Sequence, residues 1–129
     1  MAEHITYLRL VSIPVADVDR AKAFYVDVLG FEERFDGPFE EGMRWVELAP
    51  KGAQASIALV TWFDQMPPGS VTGLVLDTPD ARKAFDALQE RGVEFTGEVR
   101  EDPWGTSASF VDPDGNGWVL MQTPSGAAA

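Results

Sequence analysis

The stretch VADVDRAKAFYVDVLGFE (residues 15–32) has a second version further along the chain, LDTPDARKAFDALQERGVE (residues 76–94). At an offset of 61 positions, Asp19, Lys22, Ala23 and Phe24 fall on Asp80, Lys83, Ala84 and Phe85. One residue inserted in the second version then brings Gly30 onto Gly92. Such self-similarity means one supersecondary unit built twice. In the first copy Ala21, Phe24, Tyr25 and Val28 recur at helical spacing and form an apolar stripe, with Asp17 as N-cap and Gly30 in the left-handed position beyond the C-terminus. In the second copy Ala81, Ala84, Phe85 and Leu88 repeat the stripe, with Thr78 as cap, Pro79 in the first turn and Gly92 as the stop.

Working outward, the flanking segments read as strands punctuated by Gly, Pro and Asn clusters. Around the first helix they cover residues 7–14, 31–36, 43–48 and 55–61; around the second, 71–76, 93–99, 106–111 and 118–122. Each half is therefore β-α-β-β-β, and the fold class is α+β, two tandem βαβββ modules forming curled mixed sheets. The whole chain, 1–129, reads as one domain: module 1 at about 5–62, a linker at about 63–69, and module 2 at about 70–123. The linker FDQMPPGS contains two adjacent prolines, which continue neither helix nor strand. The tail SGAAA is expected to fray.

The acidic stretch FVDPDGNGWVLMQ (residues 110–122) invites a metal-loop reading. A calcium loop wants acids at alternating positions and a closing bidentate glutamate, which this stretch lacks. Turn chemistry accounts for Asp114-Gly115 and Asn116-Gly117, both of which favour positive φ. It is read as a corner between strands.

Composition narrows the function classes. With 45% hydrophobic and 24% charged residues the chain is an ordinary globular one. The net charge of −11 opposes binding to nucleic acid and to an anionic membrane surface, and attracts cationic small molecules. No apolar run is long enough to span a bilayer, and no basic segment followed by an apolar one opens the chain, so a cytoplasmic location is expected. Without cysteine there is no disulfide, thiolate zinc site or cysteine nucleophile. A serine–histidine–acid triad would have to use His4, ahead of the first strand, and no Gly-rich phosphate loop is present.

The doubled βαβββ unit, with VADVDRAKAFYVDVLGF opening the first copy and PWG…FVDPDGN closing the second, resembles the glyoxalase / bleomycin-resistance / extradiol-dioxygenase (vicinal oxygen chelate) superfamily. The resemblance runs from about Tyr7 to Gln122. It implies that the modules enclose a cup, and that enzymatic members hold one divalent metal there. The family's ligand positions transfer to Leu10, Ala58, Val71 and Val119. None carries an imidazole or carboxylate, the donors a catalytic divalent site needs. The resemblance therefore implies the fold without the metal, and no cofactor is expected.

Strand alternation sends every second residue into the cup. Beside the four positions above, this places Ser12, Trp45, Glu47, Ser107, Ser109 and Met121 on its walls, with Trp62 and Trp104 at its rim or at a subunit interface. Apolar and aromatic walls with a few polar groups make a small-molecule pocket. Core packing is the competing explanation for Trp45, and a solvent-facing strand carboxylate for Glu47. The leading expectation is a metal-free binding protein holding a cationic or aromatic organic ligand, as antibiotic-sequestering relatives do. The alternative is an enzyme of the same superfamily, a lyase, isomerase or dioxygenase. It would use Glu47 as acid or base, or a metal if the strand register differs. The resemblance also implies a homodimer.

Overall fold

A computed structural model describes residues 4–124; the expected fraying of SGAAA lies outside the described residues. The chain divides into two compact units, Met1–Pro67 and Pro68–Ala129, with the boundary between the adjacent prolines. Each unit carries one mixed sheet and one helix, an α+β architecture with open sheets.

In module 1 the order is β1 (Leu10–Pro14), α1 (Val18–Ala23), β2 (Glu32–Pro38), β3 (Arg44–Ala49) and β4 (Ser56–Val60). The strands lie side by side as β1-β4-β3-β2, with β1 parallel to β4 and the other pairs antiparallel. Val46 and Leu48 of β3, Ile57 and Leu59 of β4 and Ile13 of β1 alternate with the residues of the other face and are buried, making the core with Ala21 and Tyr25 of the helix. The Tyr25 ring packs against Phe24 and Phe31 at 5.2 and 5.5 Å between centroids.

Module 2 repeats the plan with β5 (Leu74–Asp77), α2 (Ala81–Glu90), β6 (Glu94–Phe95), β7 (Arg100–Asp102), β8 (Gly105–Val111) and β9 (Gly117–Gln122). Its order is β5-β9-β8-β6, with β7 also on β8. Ala81 and Leu88 of α2 are buried, as are Ala108, Phe110, Trp118 and Leu120 of the sheet. The single strand expected at 93–99 is broken. Phe95 pairs with Phe110 and Arg100 with Ser107, so the outer chain has two more residues to place than β8, and the excess loops out around Gly97.

The helix starts correct the repeat alignment. Asp17 accepts from the Arg20 amide at 3.1 Å and Asp80 from the Lys83 amide at 3.0 Å. Asp80, not Thr78, is thus the second N-cap, and Pro79 precedes the helix. A carboxylate three residues before an orphan amide satisfies it and suits the positive end of the helix dipole. Thr78 Oγ1 instead accepts from the Asp80 amide at 3.3 Å. The two caps are 63 positions apart, whereas the stop glycines, Gly30 (φ 85°) and Gly92 (φ 92°), are 62 apart. The extra residue therefore sits in the first copy, not the second. It is absorbed where α1 widens into a π turn over Phe24–Val28, the usual way a helix accommodates a single insertion.

Module 1 also carries a charge network outside the core. Arg44 donates to both oxygens of Asp36, Nε to Oδ1 at 2.9 Å and Nη2 to Oδ2 at 2.8 Å. Lys22 of α1 donates to Asp36 Oδ2 at 2.7 Å and pairs with Glu33 at 2.6 Å, while Arg44 also reaches Asp19 at 2.7 Å. Hydrogen bonds from Arg44, then Lys22, hold the Asp36 carboxyl far below the usual carboxylate range, and Asp36 in turn raises the Lys22 ammonium.

The acidic corner of module 2 is closed on itself. Asp112 Oδ1 accepts from the amides of Asp114 and Asn116 at 3.0 and 2.8 Å, and its Oδ2 from Asn116 Nδ2 at 2.9 Å. Asn116 Oδ1 accepts from the Val71 amide at 3.2 Å. Gly115 takes positive φ, but the Asn116-Gly117 pair does not. Gly69, at φ 84°, lies so close that a Cβ would stand 2.2 Å from the Asp114 carbonyl oxygen. The stretch is a structural turn.

Candidate functional site

In module 1, β3 and β4 alternate. Glu47 pairs with Ala58, Ala58 with Ser12, and Ser56 with Leu10, so these five residues share the sheet face turned away from the core. Phe35 of β2 pairs with Glu47 and Gly37 with Trp45, which adds both to that face. Ser56 and Ala58 are buried, while Leu10, Ser12, Trp45 and Glu47 are half-buried.

On this face lies an open cleft of about 440 Å³ lined by Phe35, Pro38, Phe39, Trp45 and Glu47. Two of its lining residues, Phe39 and Trp45, belong to a run of four rings that continues through Trp62 to Phe63. Phe39 lies 5.2 Å from Trp45 and 6.1 Å from Trp62 between centroids, Trp45 and Trp62 stack at 6.2 Å and 26°, and Phe63 lies 6.0 Å from Trp62. The rings support one another, so the wall holds its shape without a ligand. Glu47 is held firmly among them. Ser56 Oγ donates to its Oε2 at 2.6 Å, and Trp45 Nε1 to its Oε1 at 3.3 Å.

The sequence-derived candidates divide between the modules. Trp45, Glu47 and Trp62 come together at the cleft, with Leu10, Ser12 and Ala58 on the same sheet face. In module 2, Ser107 pairs with Met121 and Ser109 with Val119, so these four share one face with Val75. Trp104 sits in the turn between β7 and β8, 64% exposed. Val71 precedes β5 altogether, its carbonyl accepting from the Gly117 amide at 2.8 Å. Register explains this: Ser12 opposite Ala58 corresponds to Val75 opposite Val119, which makes Gly73 the counterpart of Leu10. Leu10 lies seven residues before its cap Asp17, and the position seven residues before Asp80 is likewise Gly73.

Phe35, Pro38 and Phe39 were not among the sequence-derived site residues. Alternation along β2 carries the signal for Phe35, which stands opposite Glu47. Phe39 lies past the end of that strand, and only the closing turn, where its amide donates to the Met43 carbonyl at 3.1 Å, places it beside Trp45.

With the corrected register the family's ligand positions are Leu10, Ala58, Gly73 and Val119, and no imidazole or carboxylate occupies them. Among the described residues no three His, Asp or Glu side chains converge in a manner that could hold a metal ion. The residues present do not fit the family's divalent metal. No helix among the described residues is long and apolar enough to cross a membrane.

A doubled βαβββ fold with this aromatic face defines a class, and the comparisons agree with it. Residues 3–120 match the model of the Glyoxalase/Bleomycin resistance protein/Dioxygenase superfamily, and the chain belongs to that superfamily. Its fold is similar to that of TnmS3, an antibiotic binding protein from Streptomyces sp. CB03234, at 47% identity and a TM-score of 0.89, covering 96% of this chain and 99% of that one. A superfamily member from Sphaerobacter thermophilus is 40% identical with a TM-score of 0.86, covering 92% of this chain and 98% of that one. The protein YetH of Bacillus subtilis (strain 168) is 33% identical over 121 residues, 92% of this chain and 99% of YetH.

Proposed function

We propose that this protein binds a small organic molecule with a flat aromatic body, of the antibiotic type, and holds it without transforming it or using a metal. The observation that carries the reading is an open cleft walled by Phe35, Phe39 and Trp45 with a single carboxylate, Glu47, in its lining, and with Trp62 stacked on Trp45. The volume lies in the range of small-molecule sites, and the wall is apolar with few polar groups. The likeness to TnmS3, named as an antibiotic binding protein, supports the same reading. Apolar residues at the family's ligand positions support the metal-free form.

Trp45, Glu47 and Trp62 contact the ligand in this reading, with Leu10, Ser12 and Ala58 on the same sheet face. Ser107, Ser109, Val119 and Met121 are the equivalent surface of module 2. The protein acts in the cytoplasm as a homodimer. Large apolar side chains outside the cleft, Ile5 at 71% and Leu8 at 65% exposed, support a subunit contact. Light scattering should return twice the 14.1 kDa chain mass.

The test is titration of tryptophan fluorescence with bleomycin and a panel of polycyclic aromatic antibiotics, followed by mass spectrometry of the recovered compound. Saturable quenching with one compound recovered unchanged is expected. Turnover of that compound would replace the reading with the enzymatic one, and its loss in Glu47→Gln would make Glu47 the acid or base. One tightly held manganese, iron, zinc or nickel ion per chain after incubation would overturn the metal-free form.

A further inference from the structure

Among the described residues the Glu47 carboxylate has no positive partner. Its hydrogen bonds come from two neutral donors, the Ser56 hydroxyl and the Trp45 indole. The residues lining the cleft include no lysine, arginine or histidine. An ionised carboxylate offers about four acceptor positions on its two oxygens, so about two remain open to an incoming donor. It is half-buried among aromatic rings, where a charge is poorly screened and calls for a counter-ion. Ring faces attract cations as well. The net charge of −11 draws a cation toward the protein before contact.

We infer that the ligand of this cleft is an aliphatic amine carried on an aromatic ring system and bound as its ammonium, with the ring system on the Phe39–Trp45–Trp62 wall and the N–H donors on Glu47. This rests on the binding function proposed above and names the ligand class for the same site. Ser56 is a positioning residue: its 2.6 Å hydrogen bond fixes the carboxylate. The open acceptor positions favour a protonated primary or secondary amine over a quaternary ammonium, which has no N–H to give.

A matched pair of probes tests the inference: 9-anthracenemethylamine and its N-acetyl derivative. They share the ring system and each keeps an N–H, but only the first is charged at neutral pH. The wild-type protein should bind the amine about tenfold or more tightly than the amide, the range for a charge-assisted hydrogen bond. Glu47→Gln should abolish most of that preference, because it weakens the amine far more than the amide. Glu47→Asp, which keeps the charge, should retain it. Equal affinity for the two probes in the wild type overturns the inference and leaves the aromatic-binding function standing. So does a preference that survives in Glu47→Gln. If neither probe binds, both the inference and the function it rests on fall. A Glu47→Gln chain that loses its fold, seen by circular dichroism, leaves the wild-type preference and its Glu47→Asp counterpart to decide.

Discussion

The two modules share an Asp-capped helix, a stop glycine with positive φ and one strand order, but they place their polar groups in opposite locations. In module 1 the charges tie the helix to the sheet: Lys22 and Arg44 converge on Asp36 from α1 and β3. Its β3–β4 turn is held in the backbone by one bond, from the Ala53 amide to the Pro50 carbonyl at 3.0 Å. In module 2 the corresponding turn is the strongly held element, with Asp112 accepting three hydrogen bonds at the acidic corner. The helix-to-strand pair is reduced there to Arg82 and Glu101, both more than 60% exposed. The far sheet faces differ as well, aromatic in module 1 and serine-bearing in module 2. A duplicated backbone requires only that the core alternation and the caps be kept. Residues on the other face and at the corners are free to diverge, and the candidate site arises there.

The comparison can be broken most strongly at the module 1 core. Tyr25 is fully buried, and Tyr25→Ala should destabilise the chain by about 3–5 kcal/mol, beyond its module 2 counterpart Leu88→Ala at about 2–3 kcal/mol. Urea unfolding of the two variants measures this. A smaller loss at Tyr25 than at Leu88 would show that the deeper burial of Tyr25 does not set the difference.

The corner comes next. Asp112→Ala leaves two buried donors and one part-buried donor without their acceptor and should lose about 2–4 kcal/mol. An Ala53→Pro change in the module 1 turn would remove that turn's amide bond and should do less. If Asp112→Ala melts within a degree of wild type, the corner is not the anchor of module 2.

Asp36→Asn should cost about 2 kcal/mol, since it leaves Lys22 and Arg44 facing a neutral amide. The folded-state carboxyl titrates below its ordinary value of 3.8, so the unfolded chain takes up its proton first as pH falls. The stabilisation is fully present above that value and declines below it. Melting curves from pH 6 to pH 2.5 should show wild type losing its margin over Asp36→Asn in the acid range. A margin independent of pH would exclude Asp36 as the source. The smallest effect is expected for Arg82→Ala in module 2, within about 0.5 kcal/mol, because an exposed single pair contributes little. A loss as large as that of Asp36→Asn would erase the contrast.

Much of this molecule is legible without coordinates. Both helices follow from the apolar stripes ending at Gly30 and Gly92, because periodicity and capping are local properties of the chain. Period-two alternation placed Trp45, Glu47 and Ala58 on one face. The repeat register was harder to read. Matching identities at Lys22 and Lys83 favour an offset of 61, yet those lysines are partly or fully exposed, and exposed positions do not fix a register. The caps and the strand pairing set it at 63 in the structure, which moves the Leu10 counterpart from Val71 to Gly73.

The sequence by itself determined the doubled βαβββ order, the superfamily, the acidic charge and the absence of metal donors at the family's ligand positions. The tertiary structure alone decided that Phe35, Phe39 and Trp45 line one cleft with Glu47, that Trp62 stacks on Trp45, and that Ser56 and Trp45 hold the Glu47 carboxylate. Those residues come from three strands, a turn and the segment just after β4. Their meeting depends on which strand pairs with which and on where each turn closes, long-range choices that no local pattern in the chain encodes.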